Sequence, residues 1–363
     1  STRFPKMLYT ITAQSLLQDV APALWLIAGT KTVSKKSYGL HTVIIICIMI
    51  TVKVFEDRIV NFKEVITGLL NNEKSFLIDE GPDLSKVMIE DMPFLDLLVN
   101  KGIEVQTYNL VQEQVSGLKI EILNQCFPFL YYANKKLTSD KKNIEKHFGM
   151  FVGGSRWHRL FLASNLYARH KDQSLISYRQ SAKINYQPCN LHIDELYLHT
   201  AKINNNNFFT EINNFISHLP LQLTKEPNDN CGYINFDQAW EISELYEKLF
   251  VDIVQETWHN GKTFYPTEKI ARPIACYTPF IVYGGVDFLN NLKKIGFKTF
   301  NDFWSESYDK LSGCERIIAI NRLVKNISFK SVDELKNMYN DMQPILKHNA
   351  ELYQNLDKGM KVF

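Results

Sequence analysis

No two cysteines in this chain are spaced as a C-x-x-C pair. Cys47, Cys126, Cys189, Cys231, Cys276 and Cys314 lie far apart, and Cys47 sits inside the apolar run "VIIICIMITV". That scatter argues against a disulfide framework. It reads as reduced core cysteines of a cytoplasmic protein. Cys189 and His192, followed by His199, have no second paired motif, so no metal is expected there. Long apolar runs are missing as well. The best, Val43 to Val52, is about half a membrane span and ends at Lys53, so it reads as a buried strand and no transmembrane segment is expected. The N-terminal "MLYTITAQSLLQDVAPALWLIAG" is interrupted by Gln14, Gln18, Asp19 and Pro22 and lacks a signal-peptide pattern.

Charge of one sign is also lacking. Lys and Arg number 41 against 39 Asp and Glu, a net of +2. A nucleic-acid acceptor is not favoured by so mild a balance, although a local cluster suffices for a phosphate-bearing small ligand. Several motifs are absent too. There is no G-x-x-x-x-G-K-[ST] to cradle phosphates, no G-x-G-x-x-G for a dinucleotide and no G-x-S-x-G nucleophile elbow. No Asp-x-Asp occurs, so a nucleotide–metal site built on that pair is not expected.

What is present is a β-α-β-α rhythm in a chain of 363 residues, long enough for two domains. "HTVIIICIMITVKVF" has the unbroken β-branched content of a strand buried on both faces. Helical spacing follows over 58–73, a strand over Phe76–Ile78, a helix over 88–103 stopped at Gly102, and a strand in "EVQTYNL". The Lys-rich 131–147 reads as a solvated linker, with a basic acceptor-binding loop as the alternative. The rhythm then restarts. A strand over Phe148–Val152 leads through Gly153 and Gly154 into a helix with Leu160, Ala163 and Tyr167 on one face. "FDQAWEISELYEKL" is an amphipathic helix, "LFVDIVQET" a strand, "TEKIARPIACYT" a helix kinked or shortened at Pro273, and "PFIVYGG" a strand. A helix stopped by Gly296, a last short strand in "FKTF", and a helical tail from Ser331 broken at Pro344 complete the reading. The result is an α/β protein with parallel sheets, divided into an N-terminal α/β domain (1–140), a second α/β domain (141–330) and a helical tail (331–363).

Ligands of open parallel sheets bind at the carboxyl ends of strands. That rule selects Asp79 and Glu80, Gly153 to Arg156, Glu256 and Thr257, and Tyr283 to Gly285. Thr267, Glu268 and Lys269 open a helix, where free N–H groups favour an anion. A lysine there opposes the helix dipole unless an anion joins it; the alternative is an exposed lysine beside a capping threonine. Trp157, Trp258, Phe264 and Tyr265 stand nearby in sequence, either stacking on a base or sugar or packing in the core.

"FYPTEKIARPI" followed by "PFIVYGG" resembles the donor-site motif of family-10, alpha-1,3-fucosyltransferase-like glycosyltransferases. The longer run to "FNDFWSESYD" also looks like glycosyltransferases of phages and large DNA viruses, and "HFGMFVGGSRWHRLFLASNLY" is similar to the upstream strand–turn–helix motif that bears an arginine. The likeness covers 147–170 and 249–316; over 1–140 only the α/β rhythm matches. Pro273, and a Gly-Gly-Ser-Arg turn in place of an Asn-rich one, depart from the family pattern. The resemblance implies two Rossmann-like domains facing a cleft, the GT-B type. It implies transfer of a sugar, fucose among the candidates, from a nucleotide-sugar donor to a hydroxyl of a glycan or glycoconjugate, inverting and without metal or other cofactor. Lys269 and Arg159 would contact the diphosphate and Glu268 the ribose, with Arg156, Glu256, Thr267, Tyr283 and Gly284 completing the donor site. Inversion needs a general base. By position that is Glu80, with Asp79 as rival; the alternative for both is a turn carboxylate capping the next helix. A non-catalytic nucleotide-sugar- or glycan-binding protein is the reading from another class.

Overall fold

The computed structural model describes residues 50–52, 54–55, 58–59, 62–71, 75–78, 81–84, 100–115, 117–123, 129, 142–178, 183–184, 187–188, 193–200, 208–223 and 244–356. All of them belong to one compact unit, Ile48–Phe363. The architecture is mixed α/β with two parallel four-stranded sheets. In the first, β1 (Ile50–Val52), β2 (Ser75–Ile78), β3 (Glu104–Thr107) and β4 (Lys119–Ile122) lie side by side in chain order. Helix α1 (Phe62–Leu70) connects the first two. Phe76, Ile78, Val105 and Thr107 point into the core, because alternate strand residues share a face. The edge strand β4 was not expected. Its "KIEI" carries Lys119, which pairs with Glu104 at 2.8 Å, and Glu121, which accepts from Gln106 at 2.6 Å. Charged residues on a short edge strand block further pairing, and they also hide it from a search for apolar runs. Most of the helix expected over 88–103, the whole apolar run before Ile50, most of "FDQAWEISELYEKL", and Asp79 and Glu80 lie outside the described residues.

The second sheet holds β5 (Lys146–Val152), β6 (Ser174–Tyr178), β7 (Leu249–Gln255) and β8 (Phe280–Tyr283), all parallel, in the spatial order β8-β7-β5-β6. Every residue of β7 and β8 is buried, as their unbroken apolar runs predict. Helix α2 (Trp157–His170) crosses from β5 to β6 on one side, and α5 (Glu268–Ala275) crosses from β7 to β8 on the other. Helix α3 (Ile193–Thr200) and α4 (Phe208–Ser217) pack on α2, and α6 (Phe288–Lys294) follows β8. Then α7 (Gly313–Ser328) packs beside α2, while α8 (Val332–Leu356) packs on α5. The chain leaves β5 in one direction and β7 in the other, so the crevice between their carboxyl ends is a topological switch point.

Two expectations fail for identifiable reasons. "FKTF" is not a strand: the Asn349 side chain from α8 takes the Lys298 N–H at 2.8 Å and gives its own N–H to the Lys298 carbonyl at 2.8 Å. The tail is not broken at Pro344, because Leu335, Tyr339, Met342, Leu346, Ala350 and Tyr353 bury one continuous stripe across it. Pro273 behaves differently. Helix α5 ends two residues beyond it, with Thr278 N–H on the Pro273 carbonyl at 2.8 Å, Tyr277 N–H on Ile274 at 3.3 Å, and Tyr277 at φ 50°. That is the double-bonded left-handed stop usually built on glycine.

Candidate functional site

At the switch point the side chains expected from sequence come together in layers. Glu256 follows β7 and is fully buried. Its carboxylate accepts the Thr267 hydroxyl at 2.6 Å and the Thr267 N–H at 3.2 Å, which fixes where α5 begins. Burial pushes the Glu256 carboxyl up, against the pull of Lys269 and of the Thr267 hydrogen bonds. Thr267 is the N-cap: its hydroxyl oxygen accepts the Lys269 N–H at 3.3 Å. The same oxygen accepts from the Lys269 ammonium at 3.2 Å.

Lys269 folds back over the helix start. Its ammonium donates to Glu268 at 2.7 Å and to the Thr257 hydroxyl at 3.0 Å. The conflict between a cation and the helix N-terminus is thus met within the chain by the neighbouring carboxylate. Both side chains stay about one-fifth exposed, at 19% and 20%. Desolvation raises the Glu268 carboxyl, but Lys269, through charge and hydrogen bond, outweighs it with help from Arg272, leaving a pKa of about 2.

Arg159, on the first turn of α2, is buried against the same corner. It donates to the carbonyls of Gly154 at 2.9 Å, Glu256 at 3.2 Å and Gln255 at 3.5 Å. Its guanidinium clamps the carboxyl end of β5 to that of β7. Burial, and then Arg156, lower its pKa to about 10. Of the two expected arginines, Arg156 is the half-buried one, with its guanidinium 5.9 Å from the Trp258 ring. The rim left accessible comprises Gly153, Gly154, Arg156, Thr257, Glu268 and Lys269.

Tyr283 and Gly284 take another place. Tyr283 is buried, its ring stacked on His158 with centroids 4.8 Å apart. A side chain at Gly284 would strike Phe288 at 2.7 Å, and one at Gly285 would strike the Thr263 carbonyl at 2.1 Å. The glycines are required by the close approach of their own chain, and Arg316 takes both of their carbonyls. The four aromatics are packed as well: Trp157 stacks on His199 at 4.0 Å, Trp258 lies under Arg156, and Phe264 and Tyr265 are core.

Sequence reasoning missed Gln255. Its side-chain amide is buried, with neither its nitrogen nor its oxygen hydrogen-bonded. It pairs in register with Tyr283 and so shares the face on which His158 stacks. The available signal was a polar residue closing an otherwise apolar strand. Asp252 was missed in the same run. It accepts from the Tyr246 hydroxyl, and burial moves its pKa up to about 6. Nearby Lys142 donates to the Tyr246 carbonyl and the Thr278 hydroxyl, and burial moves it down to about 7.

The first sheet reaches this corner through loops. Asn109, just after β3, accepts the Phe264 N–H at 3.0 Å and donates to the Lys262 carbonyl at 3.3 Å, while Leu110 N–H bonds the Phe264 carbonyl at 3.1 Å. Asp83 accepts the Lys262 N–H at 3.0 Å, and a side chain at Gly81 would meet Tyr265 at 2.7 Å. Among the described residues no helix is long and apolar enough to cross a membrane. Nor is any group of three or more His, Cys, Asp or Glu placed to hold a metal ion. Compared with family models, curated proteins and solved structures, the chain matches none.

Proposed function

We propose that the chain is a glycosyltransferase of the two-domain GT-B type, with Rossmann-like halves, that moves a sugar from a nucleotide-sugar to an acceptor hydroxyl with inversion. The observation that carries this reading is the placement of Thr267, Glu268 and Lys269 at the β5/β7 switch point, where open parallel sheets bind nucleotides. Lys269 and Arg156 are the cations on the accessible rim, and they would take the diphosphate. Glu268 would turn to the ribose hydroxyls once phosphate replaces it at Lys269. Arg159 and Glu256 position the two strand ends rather than touch the donor: both are buried, the Arg159 Nη atoms donate to strand-end carbonyls and the Glu256 carboxylate holds Thr267. The unpaired Gln255 amide offers both a donor and an acceptor beside them.

In the transfer step the acceptor oxygen forms a bond to the anomeric carbon. The bond from that carbon to the phosphate oxygen breaks, and its electron pair leaves with the nucleoside diphosphate. Glu80, or Asp79 in its stead, takes the hydroxyl proton. The loop at Gly81, next in the chain, packs on Tyr265, two residues before the helix cap. The lysine's interaction with phosphate is worth about 1.5–3 kcal/mol.

The test is thermal unfolding with 1 mM GDP, UDP, GDP-fucose and UDP-glucose, with the parent chain beside Lys269→Met. A rise in Tm with at least one nucleotide, lost in the variant, is expected. No rise with any of them would sink the donor-site reading. A rise without transfer or donor hydrolysis would favour a binding protein, and full transfer by Glu80→Gln would remove that residue as the base.

A further inference from the structure

A cavity of about 480 Å³ lies along α2, where α7 and α4 meet it. One wall is a stripe of α2: Phe161, Asn165, Leu166 and Arg169. The opposite wall is a stripe of α7: Ile318, Asn321, Arg322 and Lys325, with Phe329 just past the helix end. The floor is apolar. Phe161 and Phe208 meet edge to face with centroids 4.7 Å apart, and Leu166 and Val324 are buried beside them. Two large apolar side chains remain exposed on the α7 side, Ile318 at 36% and Phe329 at 75%.

The charges at this cavity have one sign. Its lining contains Arg169, Arg322 and Lys325 and no carboxylate, and burial favours the neutral form of His170 beside them. Arg169 is neutralised by Glu211 at 2.9 Å. Arg322 and Lys325, about one turn apart, are exposed and make no ion pair among the described residues. An apolar floor of this volume is of the size that holds a small molecule rather than a protein surface. The two cations that keep no carboxylate partner, Arg322 and Lys325, select the head of that molecule.

We propose that this cavity binds a single-chain amphiphile with an anionic head, its hydrocarbon chain on Phe161, Phe208, Leu166 and Val324 and its head at Arg322 and Lys325. The site is separate from the switch point, and the proposal does not depend on the glycosyltransferase reading. It gives the chain an affinity for fatty-acid-like or lipid-linked anions that the nucleotide site would not supply.

Isothermal titration with sodium dodecanoate below 1 mM tests it, with dodecyltrimethylammonium as the cationic control. Saturable binding of dodecanoate alone is expected. Shortening the chain by two carbons should weaken it about tenfold. Arg322→Glu with Lys325→Glu, at exposed positions, should weaken it about tenfold again. Ile318→Asp should abolish it while circular dichroism shows the fold retained. Equal binding of both amphiphiles, unchanged affinity in the double variant, or no saturable heat below 1 mM overturns the proposal.

Discussion

At the scale of single residues, the pair Glu268–Lys269 has a measurable signature in stability. The Glu268 carboxyl falls from an ordinary 4.5 to about 2 on folding. A depressed acid contributes stability that is fully present above the unfolded value near 4.5 and is lost as pH falls through the folded value near 2. The shift corresponds to at most about 3 kcal/mol, reduced by the pair's partial exposure. Urea unfolding of the parent between pH 2 and 7 should show that loss. Lys269→Met should abolish it, because desolvation then acts on Glu268 without the cation that offsets it. Parallel pH profiles for the two chains would show that the pair contributes nothing. The positions of these residues were legible in sequence, since a threonine cap and a strand end are local signals. Their partners were not. In the folded chain Glu268 and Lys269 hold one another, a contact that no local pattern announces. Arg159 likewise turns its two Nη atoms to three carbonyls, two of which lie on a segment about a hundred residues later in the chain.

At the scale of elements, the buried parallel strands β5, β7 and β8 were readable because burial on both faces leaves an unbroken apolar run. Strands β4 and β6 escaped because one is a charged edge and the other, "SLISY", mixes serine into a short pattern. The segment 297–300 misled for the converse reason. It is apolar enough for a strand, but a helix side chain claims its backbone. Asn349 is almost wholly buried, at 2% exposure, and satisfies both polar groups of Lys298. Asn349→Leu should therefore cost about 2 kcal/mol, since a part-buried N–H and C=O lose their partner together and the buried asparagine site is refilled by a different shape. The urea midpoint should fall with little change in slope. A variant as stable as the parent would mean that water or a neighbour takes over both bonds.

At the scale of the whole molecule, the order β8-β7-β5-β6 could not be read from sequence. Periodicity marks strands but not their neighbours, and the reversal between β5 and β7 is a property of long-range pairing. That reversal nonetheless determines where the strand-end residues meet. The link between the two sheets is similarly hidden, because it is made by contacts far apart in sequence, such as Asn109 with an N–H 155 residues away. Asn109→Ala should leave both sheets folded and release the loop 260–265. Hydrogen exchange at the Phe264 amide should rise about tenfold or more, with the β7 amides unchanged. Uniformly faster exchange would mean that the contact supports global stability instead.

Asn109 also acts mechanically. Its side chain ties the turn beyond one sheet to the segment that leads, through Tyr265 and Pro266, into Thr267 and the start of α5. The place of the helix end that carries Lys269 is thereby set in part from the first sheet, through a tether only a few residues long.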